Sequence, residues 1–129
     1  MSFESRITRS PRPFDPDRGA EALVKLPDLP PRTREVVEGA AGSSPYLAGL
    51  IAREAEWLAG AFDAPDDALG SVLTAAADLP LDKLSDGLRQ AKRRVALLTG
   101  LADLGGVWPL EVVTQALTDF ADAAVDTCL

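Results

Sequence analysis

The stretch Asp82-Lys-Leu-Ser-Asp-Gly-Leu-Arg-Gln-Ala-Lys-Arg-Arg-Val-Ala-Leu-Leu-Thr-Gly-Leu-Ala-Asp-Leu104 decides the fold. Its apolar residues fall at Leu84, Leu88, Ala91, Val95, Leu98 and Leu101 or Ala102. That three- and four-residue spacing lays a single apolar stripe along an α-helix, whereas a half-buried strand would alternate. Gly105-Gly106 follows at once, and glycine just past a helix supplies the backbone freedom that ends it. The spacing predicts one long helix over Asp82–Leu104.

The flanking sequence repeats this pattern in both directions. Upstream, Leu79-Pro80 closes a helix that runs to Ala77 and is opened and capped by Asp63-Ala-Pro-Asp-Asp67. Before it, Ser43-Ser-Pro45 places a serine cap and a proline at the first helical position, a strong start signal. The helix so started carries Leu47, Leu50, Ile51, Leu58 and Phe62 inward, with Glu54 expected to face solvent. A shorter helix over Thr33–Ala40 is expected to stop at Gly39 and Gly42. Downstream, Trp108-Pro109 opens the last helix, with Leu110, Val113, Leu117, Phe120 and Ala124 inward. Asp119, Asp122 and Asp126 are the wrong sign for a helix C-terminus, and no glycine, proline or basic turn precedes Cys128-Leu129. This helix therefore reads as interrupted rather than ended. No internal repeat at a solenoid period is present. Residues 33–129 are predicted to form an all-α bundle of four to five helices.

Residues 1–32 differ in character. Pro11, Pro13, Pro16, Pro27, Pro30 and Pro31 bias the backbone toward extended or irregular structure. One short helix fits at Asp17–Leu26, where Ala20, Leu23 and Val24 give a weak apolar face. Either packing over the helical core or extension as a mobile arm is compatible with this composition.

Composition narrows the chemistry. The 129 residues are 47% hydrophobic and only 5% aromatic, which suits helices rich in alanine and leucine. There is no histidine, so a Ser-His-Asp triad, a Cys-His dyad and a His-ligated zinc site are excluded. A lone Cys128 allows neither an internal disulfide nor a CxxC pair and fits a reducing cytoplasm. Residues 1–34 hold seven basic against five acidic side chains, a balance of +2. Residues 35–129 hold six against fifteen, a balance of −9, which argues against nucleic acid as a partner. Arg6, Arg9, Arg12 and Arg18 have the density of a transit peptide, but Glu4, Asp15 and Asp17 spoil that reading. No apolar run approaches the roughly 20 residues of a membrane span.

Several constellations invite a chemical role. Asp15-Pro16-Asp17 has the D-x-D spacing of magnesium-dependent nucleotidyltransferases, but no strand precedes it and no Gly-Ser phosphate turn lies upstream. It is read as a proline-locked surface turn. Gly39-Ala-Ala-Gly-Ser-Ser-Pro45 lacks the lysine of a phosphate loop and is read as a capped helix start. Trp57 and Trp108 could line a pocket but are read as core or inter-helix anchors. Glu54 and Glu56, two apart, point to different helix faces and cannot work as an acid/base pair. Arg89, Lys92, Arg93 and Arg94 form the one dense basic patch outside the N-terminus. It is read either as a solvated face pairing with nearby acids or as a docking patch for an acidic partner or another domain.

Three longer stretches together carry a resemblance. They are Gly42-Ser-Ser-Pro-Tyr-Leu47, the run Leu88-Arg-Gln-Ala-Lys-Arg-Arg-Val-Ala-Leu-Leu-Thr-Gly-Leu-Ala-Asp-Leu104, and Trp108-Pro-Leu-Glu-Val-Val-Thr-Gln-Ala-Leu-Thr-Asp-Phe-Ala-Asp-Ala-Ala124. With Arg6-Ile-Thr-Arg-Ser-Pro-Arg-Pro13 they resemble the N-terminal portion of the bacterial bifunctional glutamine synthetase adenylyltransferase/adenylyl-removing enzymes. The resemblance implies a much longer cytoplasmic enzyme that attaches AMP from ATP to a tyrosine of glutamine synthetase and removes it by phosphorolysis. It implies magnesium and ATP in nucleotidyltransferase-type α/β domains, against which this helical segment would pack. PII-type signalling proteins would regulate it. The matched region lies before the family's first Gly-Ser…D-x-D motif, so no catalytic, cofactor or metal residue carries over and the segment is expected to be inert alone. A free-standing helical interaction module, binding through the Arg89–Arg94 patch or a groove near Trp57 and Trp108, is the alternative.

Overall fold

Seven α-helices follow one another in the computed structural model, which describes residues 2–128 and contains no strand among them. They are α1 (Phe3–Arg6), α2 (Pro16–Leu23), α3 (Pro31–Ser43), α4 (Pro45–Ala61), α5 (Pro65–Ala77), α6 (Leu84–Leu104) and α7 (Leu110–Cys128), with a 3-10 turn at Leu81–Lys83 entering α6. The all-α class expected from the apolar spacing is the fold observed. No helix among the described residues is long and apolar enough to cross a membrane.

Helix α6 is the common wall of two apolar clusters. Its C-terminal half joins Leu97, Leu98 and Leu101 to Val36 and Val37 of α3 and to Ile51 and Leu58 of α4. Its N-terminal half contributes Ala91 and Val95 to a smaller cluster with Val72 and Ala76 of α5. Trp57 packs against both clusters and Phe120 of α7 against the smaller one. In α7 only part of the expected face is covered: Val113 is buried and Phe120 half-buried, while Leu117 is 48% exposed. Helix α7 meets α5 and α6 along a narrower stripe than its periodicity suggests. The side chains of Leu110 and Ala124, and those of Asp126, Cys128 and Leu129, lie outside the described residues.

The N-terminal arm packs over the bundle. Phe3, Ile7, Leu23 and Leu26 are buried in the larger cluster, and the Phe3 ring sits 4.8 Å from that of Phe62. Its arginines and backbone amides supply what two helix ends lack. Neither α3 nor α6 has a basic residue in its last turn. Arg18 donates from Nε to the Ala41 carbonyl at 2.7 Å and from Nη2 to the Gly42 carbonyl at 2.8 Å. Arg9 donates from Nη2 to the Asp103 carbonyl at 2.6 Å, and the Thr8 and Arg9 amides donate to Gly105. The terminal carbonyls of a helix have no partner within it, and cations are favoured there. The proline-rich arm is thus held by the unpaired carbonyl ends of α3 and α6.

This arm corrects the expected boundary of α3. The helix runs through Gly39 and Gly42 to Ser43 instead of stopping at Ala40. A Cβ at Gly39 would lie 1.9 Å from the Pro11 carbonyl oxygen, and one at Gly42 2.3 Å from the Pro13 Cβ. The glycines are there so that the arm can lie directly on the helix backbone. Gly39→Val is therefore expected to lift the arm, destabilise the fold by about 1–3 kcal/mol, and speed tryptic cleavage after Arg9 and Arg18. Unchanged cleavage rates would show that the close approach is dispensable.

Two other expectations are refined. Helix α2 begins at Pro16 and ends at Leu23, with Asp15 as its cap. The cap position of α5 is Ala64, which makes no side-chain hydrogen bond, so Asp63 does not cap that helix.

Candidate functional site

Inside α4 the backbone leaves helical geometry at one residue, Glu54, whose φ is −116° and ψ 21°. The side chain at this kink is 7% exposed, so the expectation that it faces solvent is wrong. The reason lies on α6, which packs across α4 and brings two cations to the carboxylate. Arg94 Nε donates to Oε1 at 2.7 Å and Arg93 Nε to Oε2 at 3.4 Å. A buried carboxylate persists only when such partners replace its water. The Arg94 guanidinium also lies 5.2 Å above the Trp57 ring, a cation–π distance. Arg53, Glu54, Glu56, Trp57 and Arg94 line a shallow concavity of about 360 Å³ beside this cluster.

The four residues of the basic patch divide in two. Arg93 and Arg94 are partly buried against Glu54. Arg89 and Lys92 are exposed, and neither has a hydrogen-bond or ion-pair partner among the described residues. Glu56 is exposed while Glu54 is buried, so the two carboxylates do not converge.

Trp108 occupies a different place from Trp57. It is 2% exposed, and its indole N–H donates to Asp66 Oδ1 at 2.7 Å. Asp66 in turn accepts from Arg6 Nη1 at 3.0 and 2.9 Å. Arm, α5 and the segment before α7 are thereby joined at one carboxylate. Trp108 is an anchor in the core, too buried to line an open groove with Trp57.

The D-x-D pair is committed elsewhere. Asp15 Oδ1 accepts the Arg18 N–H at 3.2 Å and caps α2, with proline at the first helical position, while Asp17 is exposed. The glycine-serine turn ends in a cap too, Ser44 Oγ accepting from the Leu47 amide at 3.2 Å. Among the described residues no group of three or more Cys, Asp or Glu could hold a metal ion. The carboxylates present therefore do not converge on the magnesium that the resemblance implies.

The described residues thus make a helical bundle in which Glu54, Arg93 and Arg94 join α4 to α6. The profile of the glutamate-ammonia ligase adenylyltransferase family matches residues 35–129. The chain belongs to that family. Curated relatives agree along most of its length, and each carries the name bifunctional glutamine synthetase adenylyltransferase/adenylyl-removing enzyme. One from Caulobacter vibrioides is 41% identical over 67% of this chain and 9% of its own length. One from Bradyrhizobium diazoefficiens is 37% identical over 98% of this chain and 13% of its own. One from Rhodopseudomonas palustris is 33% identical over 99% of this chain and 15% of its own. The chain therefore spans about a tenth to a seventh of the length of these relatives. No solved structure gives a significant match.

Proposed function

We propose that this chain is an N-terminal helical scaffold of an enzyme that adenylylates and deadenylylates glutamine synthetase in nitrogen regulation. The supporting observation is the family match over residues 35–129, within relatives of which the chain spans only a small part. In this reading the segment packs against the nucleotidyltransferase-type domain of the adenylyl-removing half and does no chemistry itself. ATP and magnesium are held outside it, glutamine synthetase and a PII-type protein are partners of the whole enzyme, and the compartment is the cytoplasm.

Incubated with adenylylated glutamine synthetase, phosphate and magnesium, the 129-residue chain alone is expected to release no ADP. Added to a family enzyme from which the matching region has been deleted, it is expected to raise the deadenylylation rate. Release of ADP by the isolated chain, or no gain on mixing, would overturn the scaffold reading. A free-standing interaction module is the second reading, favoured by the unpaired cations Arg89 and Lys92, and it predicts a partner unrelated to adenylyl transfer.

A further inference from the structure

We infer that the outer face of α6 from Arg89 to Arg94 is a docking surface for an acidic protein segment. Arg89, Lys92 and Arg93 stand three and four residues apart, which makes them neighbours along one helix face. Arg89 and Lys92 are exposed and unpaired among the described residues. Arg93 and Arg94 donate to Glu54 from Nε, and both side chains keep more than a quarter of their surface exposed.

Glu54 therefore does two things at once. It neutralises part of the charge, and it holds two guanidinium planes in place with part of each still open to solvent. A guanidinium fork matches a carboxylate in shape, and a side chain already fixed loses less freedom on binding. The complementary ligand carries carboxylates at the same three- or four-residue helical spacing. A denser polyanion fits less well, because Glu54 and Glu56 border the same concavity and residues 35–129 carry a balance of −9. This surface needs no adenylyltransferase reading, since charge and geometry alone define it.

The test uses the full chain and a short labelled helical peptide with glutamates four residues apart, followed by fluorescence anisotropy at low ionic strength. Saturable binding that weakens with added salt is expected, and none to the all-glutamine peptide. Combined Arg89→Glu and Lys92→Glu, at two exposed sites, is expected to weaken binding about tenfold or more with the melting temperature unchanged. Arg34→Glu, another exposed cation, is expected to leave binding intact. The inference fails if the glutamate peptide does not saturate, or if Arg34→Glu weakens it as much as the double reversal. Tighter binding of a short single-stranded RNA would also overturn it, in favour of a polyanion site.

Discussion

Glu54→Ala is expected to lower the unfolding free energy by about 3 kcal/mol, measured by urea titration of the far-ultraviolet circular dichroism signal. Glu54 is 7% exposed and takes two arginine donors across the α4–α6 interface. Removing it leaves Arg93 and Arg94 beside a cavity with no counter-charge, and the part of each side chain that is covered gains no water in its place. Loss of one member of a buried pair costs roughly 3–5 kcal/mol in general; the partial exposure of the arginines places this site at the low end. Glu54→Gln keeps the volume and part of the hydrogen bonding, so about half that loss is expected. Replacing the whole cluster, Glu54→Leu with Arg93→Met and Arg94→Met, is expected to recover most of the stability, because no charge then remains buried. If the alanine variant unfolds at the same urea concentration as the parent chain, the pair contributes nothing and the kink has another cause.

Trp108→Ala is expected to cost about 3–5 kcal/mol, the range for deleting a buried large aromatic side chain. The indole is 2% exposed and lies in the larger cluster, so its removal opens a cavity where three chain segments meet. Trp108→Phe separates packing from hydrogen bonding. It keeps most of the ring but drops the donor to Asp66, whose side chain is 66% exposed and can take water instead. About 1–2 kcal/mol is expected for that variant. Either loss is a large fraction of the roughly 5–15 kcal/mol that holds an ordinary domain together. A thermal melt in which both variants match the parent chain would contradict the anchoring role of Trp108.

Local signals in the sequence were sufficient for most of the fold. The stripe from Leu88 to Ala102 reads correctly because a helix repeats its inward face every three or four residues, whatever lies opposite. The Ser44-Pro45 start of α4 reads correctly because a cap is made within one turn. Misreadings occur where the deciding partner is far away along the chain. Gly39 looks like a helix stop until Pro11 is placed against it. Glu54 looks like a solvent-facing acid because its Arg94 partner is forty residues distant. The arm's arginines carry no local sign that the carbonyls of α3 and α6 will take them. The basic patch was legible as a cluster, but its division into braced Arg93 and Arg94 and free Arg89 and Lys92 depends on how α6 crosses α4.

The stapling of the arm to the ends of α3 and α6 also sets an order of events during synthesis. Thr8 Oγ1 bonds the Gly106 carbonyl and Arg9 the Asp103 carbonyl, across 98 and 94 residues. The arm therefore leaves the ribosome more than ninety residues ahead of these acceptors. At roughly 5–20 residues per second, the interval is on the order of 5–20 seconds. For that time Phe3 and Ile7, buried in the finished bundle, have no core to enter. Through that interval the nascent arm is open to chaperones and proteases, and its docking waits until the end of α6 has been made.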